Sequence, residues 1–268
     1  MTTRRWRRIE CDFFYPFNAS QDPPMTHQIV LLPGLLCDDA VWADQRGALG
    51  AIGDCFVPNY GMRDSLGAMA EFVLESVSGD RLLVAGHSMG GRVALEVFRR
   101  APERVAGLAL LDTGCAPRAA GEAGENERAQ RLRLLELARA KGMRAMGNEW
   151  APGMVNADRH DSAVYEAVLD MIERSTPDKF AAQIRALLDR PDATALLHDI
   201  ACPTMIVCGR DDKWSPLARH EEMHAQIRGS ELRVIERSGH MCTMERPDDV
   251  TEVLVKWARW AAGFETAR

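Results

Sequence analysis

The sequence predicts an α/β protein: a mostly parallel, doubly wound sheet with a helical segment inserted late in the chain. Three observations carry this reading. Short apolar runs alternate with helix-like patterns through the first 112 residues. Between about 115 and 200 only helical patterns occur. The alternation then resumes from 203 to 262. Strands that read as unbroken apolar runs belong to parallel sheets buried on both faces.

The elements follow in order. "HQIVLLPG" (27–34) is a buried-strand run stopped by Pro-Gly. "DDAVWADQRGALGAIG" (38–53) reads as a helix with an Asp start and a Gly stop. "CFVPNY" (55–60) is a second strand, and "SLGAMAEFVLESVSG" (65–79) spaces its apolar residues helically. "RLLVAG" (81–86) is a third strand, 91–102 a helix closed by proline, and "VAGLALLDTG" (105–114) a fourth strand. Within 115–200 the clearest helices are 127–142 and 160–175, with breaks at Gly142, Pro152, Pro177 and Pro191. "PTMIVCG" (203–209), a helix at 216–228, "LRVIE" (232–236) and a helix at 247–262 complete the pattern. Three segments result: a tail (1–25), a core in two pieces (26–114 and 201–268), and the helical insertion (115–200). Insertions beyond the strand ends of such sheets often carry substrate recognition.

At 268 residues the chain suits one large domain with its own core. Its net charge of −6 offers no basic field for nucleic acid, and no apolar run is long enough to span a bilayer. Seven cysteines, an odd number with no C-x-x-C pair, fit reduced thiols and a cytoplasmic location. The basic start "MTTRRWRRIECDFF" resembles a twin-arginine signal. However, Glu10 and Asp12 interrupt the apolar stretch that such a signal needs. A solvated tail is the expectation, with Met25 an alternative start.

The chemistry gathers around "LLVAGHSMGGRVAL" (82–95). Gly86-His87-Ser88-Met89-Gly90 matches G-x-S-x-G between a strand and a helix. A turn that sharp strains the serine backbone and crowds the residues two before and two after, so Gly86 and Gly90 leave room. Ser88 then stands at a helix N-terminus, where negative charge is favoured. Its hydroxyl needs a base. His240, in "ERSGHMCTMERP" after the last strand, is the candidate, whereas His87 is expected to point away from the hydroxyl. Asp212 in "CGRDDKWSP" is the preferred partner for His240, with Asp211 and Asp112 as alternatives. The backbone N–H groups of Met89 and Leu35 are candidate oxyanion donors, with Gly34 allowing close approach.

Together, "LLPGLLCDDAVW", "GHSMGG", "GRDDKWSP" and "SGHMCTMERPDDV" resemble blocks of the α/β-hydrolase superfamily over residues 26 to 262. The resemblance implies a catalytic acid three residues after the strand-ending glycine, which from Gly209 is Asp212. It also implies that 115–200 is a helical cap. Two features depart from the family pattern. Pro33-Gly34 replaces the frequent His-Gly, and only "IECDFFYPF" could supply the usual leading hairpin.

The expected function is hydrolysis of a small or medium carboxylic ester through an acyl-enzyme, with no metal or organic cofactor. Lactone opening or carbon–carbon bond hydrolysis on the same triad is the alternative, and a ligand-binding protein without turnover is a third. "HEEMH" (220–224) matches a zinc-protease signature, although its setting reads as an ordinary amphipathic helix. In the insertion, methionines 143, 146, 154 and 171 are expected mainly to pack helix on helix. The arginines of 128–144 are expected mainly to form a solvated face, with steering of an anionic substrate as the alternative. Cys37 and Cys242 are expected to flank the pocket without acting as nucleophiles.

Overall fold

The computed structural model describes residues 27–264. The basic tail, the Met25 alternative and the candidate hairpin segment at 9–17 lie outside the described residues. The first half alternates as its sequence pattern requires: β1 (Gln28–Leu32), α1 (Ala43–Gly50), β2 (Asp54–Phe56), α2 (Leu66–Ser76), β3 (Leu82–His87), α3 (Met89–Arg100) and β4 (Val105–Leu111). Four α-helices follow without an intervening strand: α4 (Gly121–Lys141), α5 (Met143–Trp150), α6 (Ala163–Glu173) and α7 (Pro177–Leu188). The alternation resumes with β5 (Thr204–Gly209), α8 (Leu217–Gln226) and β6 (Glu231–Ile235), then α9 (Cys242–Glu245) and α10 (Pro247–Ala261).

The six strands of the described residues are all parallel, in the order β2-β1-β3-β4-β5-β6. The central strands β3 and β5 are buried along their whole length, which is why they read as unbroken apolar runs. The edge strands differ. β2 is three residues long and half-exposed, and β6 is mostly half-buried. The expected strand at 55–60 is therefore mostly loop, because its one neighbour, β1, pairs with it over three positions. α1 packs with α10 and α2 with α3, the pairing expected when crossovers of the usual right hand cover both faces of the sheet. None of the helices among the described residues is long and apolar enough to cross a membrane.

Several boundaries shift for local reasons. The helix expected at 38–53 splits into a 3₁₀ turn at Asp39–Trp42, capped by the Asp38 side chain, and α1. The helix expected from 127 begins at Gly121, within a polar stretch that has no apolar period to announce it. The break expected at Pro177 falls between α6 and α7, where Pro177 opens α7 at its first turn and Thr176 accepts from the Lys179 N–H as cap. Of the insertion's methionines, Met143, Met146 and Met171 are buried on its helices. Met154 instead reaches the cavity described next.

Candidate active site

The sheet register gathers the chemistry at one edge. Leu32 aligns with Gly86, Gly86 with Leu110, His87 with Leu111, and Gly209 with Ile235. The loops that leave β1, β3, β4, β5 and β6 therefore emerge side by side at the carboxyl ends of the strands, where parallel sheets bind ligands.

Ser88 has φ 54° and ψ −115°, a left-handed backbone that costs a non-glycine residue about 1–3 kcal/mol. The surroundings hold it there. Its N–H donates to the Leu111 carbonyl (2.9 Å) and its carbonyl accepts from the Gly91 N–H (3.0 Å) and the Thr113 hydroxyl (2.7 Å). A Cβ on Gly86 would overlap the Gly90 carbonyl, and one on Gly90 would overlap the Leu32 carbonyl. Both glycines are therefore steric requirements of the turn. The turn directs the side chain toward His240: the Ser88 hydroxyl donates to His240 Nε2 at 2.8 Å. His240 Nδ1–H donates to Asp212 Oδ2, also at 2.8 Å. The other oxygen of Asp212 accepts the N–H groups of Trp214 (2.8 Å) and Ser215 (2.9 Å), which fixes the carboxylate plane.

The three candidate acids have different surroundings. Asp211 is exposed and accepts from the Asn156 side-chain amide at 2.7 Å. Asp112 is fully buried with φ 46° and accepts the N–H groups of Gly209 (2.8 Å) and Cys242 (3.3 Å). It thereby ties the ends of β4 and β5 to the histidine loop. Asp212 alone of the three hydrogen-bonds the imidazole among the described residues.

The electrostatics differ in the same way. Burial alone would push His240 down, but the charge and hydrogen bond of Asp212, helped by Asp112, raise it above its ordinary value. Burial also works against an ionised Asp212, yet His240 and the two N–H donors hold it below the usual range. Burial, followed by the like charge of Asp212, pushes Asp112 up to about 7. His87 donates through Nε2–H to the His240 carbonyl (2.7 Å), and burial lowers it to about 4, so it stays neutral.

The loop after β1 passes directly over the serine. A Cβ on Gly34 would lie 3.3 Å from Ser88 Cβ and 3.0 Å from His87 Nδ1. Leu36, at φ 60°, donates its N–H to Gln183 Oε1 of α7 at 2.8 Å. Leu35 and Met89 both line the cavity above Ser88, which measures about 400 Å³. Cys37 lines it too, with burial, then Asp38, pushing its thiol up to about 12. Cys242 is fully buried and lies outside the lining. Burial raises its thiol far above the ordinary range.

The two HEEMH histidines have different partners. His220 is fully buried, and its Nε2 accepts the Thr113 N–H at 3.0 Å. His224 instead pairs with the Ser230 hydroxyl at 2.8 Å. Asp112, Cys208 and His220 do cluster, but lone pairs on Asp112 and His220 are already committed to backbone N–H groups.

Some residues of the site give no motif signal. Trp214 packs its ring 5.1 Å from that of His240 and stacks 5.1 Å from Trp150. Glu245 accepts the N–H groups of Gly239 (3.0 Å) and Asn156 (2.9 Å), and so braces the histidine loop. The His240 N–H itself donates to the Met154 carbonyl (2.6 Å) of the insertion. The arginine face is only partly as expected. Arg128, Arg133 and Arg139 are exposed, but Arg131 turns inward, pairs with Glu127 and lines the cavity, together with Arg92, Arg190 and Arg219. Arg92 was findable, since it stands four residues after Ser88 and hence one helical turn along the same side.

With this geometry in place, comparisons with known proteins point one way. A 2-hydroxy-6-oxononadienedioate/2-hydroxy-6-oxononatrienedioate hydrolase of Klebsiella pneumoniae is 26% identical over 205 residues, covering 75% of this chain and 70% of that one. A pimeloyl-[acyl-carrier protein] methyl ester esterase of Nitrosomonas europaea is 28% identical over 204 residues, covering 74% and 77%. Among solved structures, a thermophilic esterase from Thermogutta terrifontis superposes with a TM-score of 0.78 at 27% identity, covering 89% of this chain and 91% of its own. The sequence profile described as "Alpha/beta hydrolase family" matches residues 23–253, most of the chain, and the chain belongs to that family.

Proposed function

We propose that the protein is a serine hydrolase that cleaves a small or medium carboxylic ester through an acyl-enzyme. The observation that carries this reading is the unbroken run of hydrogen bonds from Ser88 through His240 to Asp212, opening on a cavity of about 400 Å³. Ser88 Oγ attacks the ester carbonyl while His240 Nε2 takes its proton. Asp212 holds the imidazole in the Nδ1–H tautomer and stabilises its charged form. The Leu35 and Met89 N–H groups receive the oxyanion. Leu35 N–H has no hydrogen-bond partner among the described residues, and Met89 opens a helix, where no intrahelical partner exists. His240 then protonates the leaving alcohol, and water activated by the same imidazole clears the acyl group. No step calls for a metal or organic cofactor. The insertion serves as a cap over the site.

Carbon–carbon bond hydrolysis is the second reading. The Klebsiella relative, named for 2-hydroxy-6-oxo dienedioate hydrolysis, favours it. A panel of esters of graded acyl length, beside a lactone and a vinylogous diketone, tests both. Ester turnover at least tenfold above the other two is the expected result; the diketone leading would replace the ester reading.

The acid limb of kcat/KM is expected above pH 6.5. His240 must be neutral to accept the proton, and its surroundings raise it, so activity falls as pH drops through that raised value. A limb well below pH 6 in a steady-state profile would remove His240 from the role of base.

A further inference from the structure

The cavity has an unusual charge balance. Four arginines line it: Arg92 of α3, Arg131 of α4, Arg190 just after α7 and Arg219 of α8. The lining carboxyls are Glu127 and Asp112. Glu127 is held on both sides, accepting two bonds from Arg190 (2.7 and 2.9 Å) and one from Arg131 Nε (3.0 Å). Burial opposes its charge, but the two arginines win and lower it to about 2, so it stays ionised. One negative charge therefore answers two positive ones. Arg190 is nearly enclosed, with 9% of its side chain exposed, and its Nε is buried without a partner.

Neither Arg92 nor Arg219 forms an ion pair with a carboxylate among the described residues, although the charge of Glu127 reaches Arg92 from farther off. Arg92 donates through Nη1 to the Ala116 carbonyl (2.8 Å), and Arg219 through Nη1 to the Trp214 carbonyl (3.2 Å). They flank one gap: a Cβ on Gly114 would lie 3.3 Å from Arg92 Nη2 and 4.0 Å from Arg219 Cδ. Burial, then the charge of Arg190, lowers Arg92 to about 9. Arg92 is half-buried and Arg219 exposed; cations gathered this way without a paired carboxylate are costly, and an arriving anion relieves that cost. Arg92 also stands one turn from Ser88, about 6 Å along the helix axis, so an anion there is within reach of a small substrate whose other end is at the serine. Leu134, Leu187 and Trp150 give the cavity apolar lining suited to an aliphatic spacer.

Resting on the serine-hydrolase reading, we propose that the substrate is an ester bearing a free carboxylate at its far end. Arg92 and Arg219 receive that carboxylate, and the Glu127-held pair Arg131 and Arg190 adds to the positive field. Planar guanidinium groups match a carboxylate through paired N–H donors, which makes such contacts both strong and directional.

Monomethyl succinate, adipate and suberate, each compared with its neutral monoamide, test this. The wild-type protein is expected to favour the acid over the amide by about tenfold or more in kcat/KM at the best length. Arg92→Gln and, as an exposed second site, Arg219→Gln are each expected to cut that ratio by about tenfold, with Arg92→Lys retaining part of it. Raising salt should erode the ratio in the wild type. A ratio near one at every length, or a ratio unmoved in both glutamine variants, overturns the proposal while leaving ester hydrolysis standing. If no ester is turned over, the hydrolase reading fails instead, and calorimetric binding of adipate decides. Binding weakened about tenfold in Arg92→Gln keeps the carboxylate site, whereas no binding overturns it. Inorganic phosphate binding as tightly as adipate would also overturn it, since the site would then take any anion.

Discussion

Ser88→Ala is expected to lower kcat for any accepted ester by about 10⁶-fold, about 8 kcal/mol of lost transition-state stabilisation. In the proposed mechanism the hydroxyl bonds to the acyl carbon, and it also donates to His240 at 2.8 Å. Alanine removes both functions and little else. The backbone at φ 54° is held by bonds from the Ser88 N–H and carbonyl, and these survive the substitution. KM should therefore move little, and the remaining rate should come from oxyanion donors and binding alone. The same variant should lose labelling by a fluorophosphonate probe that marks the wild-type protein. A fall of less than tenfold, or labelling that persists, removes Ser88 from the mechanism.

The second large effect concerns the acid. Asp212→Asn is expected to cost about 10⁴ in kcat. An amide facing His240 Nδ1 can present its NH₂ group, and the imidazole then turns its proton toward Ser88, where it no longer accepts one. The alternative flip would set that NH₂ against the N–H groups of Trp214 and Ser215, so no orientation is satisfactory. Asp211→Asn, at an exposed side chain bonded to Asn156, should stay within a few-fold of wild type. Asp112→Asn should act mainly on stability, by about 1–3 kcal/mol, because the carboxyl accepts two buried N–H groups and sits apart from the imidazole ring nitrogens. Asparagine tolerates the φ of 46° at that position. Measured kcat values beside denaturant melts separate the three, and a larger kcat loss at Asp112 than at Asp212 would move the acid.

How much of this was legible in the sequence depended on where each signal lies. Strands β1, β3, β4 and β5 announced themselves because burial on both faces leaves no polar alternation to confuse them. The strand expected at 55–60 is too long, because pairing with β1 stops at Val30–Phe56 although β1 runs on to Leu32, and Pro58 has no N–H with which to continue a ladder. Ser88, Asp212 and His240 were locatable because each follows a strand, and strand ends are visible in one dimension. Glu127 and Arg131 were not, since their spacing of four is identical to that of a solvated helical pair. What turns them inward is Arg190, 63 residues away. Gln183 and Glu245 were hidden for a related reason: each serves a backbone N–H of a distant or tightly folded loop, and such service leaves no pattern of residue types.

The bond from His240 N–H to Met154, together with the grip of Glu245 on Asn156, has a mechanical consequence. A segment roofing a pocket is commonly pictured as a door swinging clear of the floor. Here residues 154–156 are tied directly to the loop that carries His240, so swinging them away would drag the imidazole out of line with both neighbours. Any breathing that admits a guest has to pivot about that fixed rim. The give must lie in α6 and α7, held to the core through side chains such as Arg174 and Arg185, free to part and rejoin without disturbing the residues around Ser88.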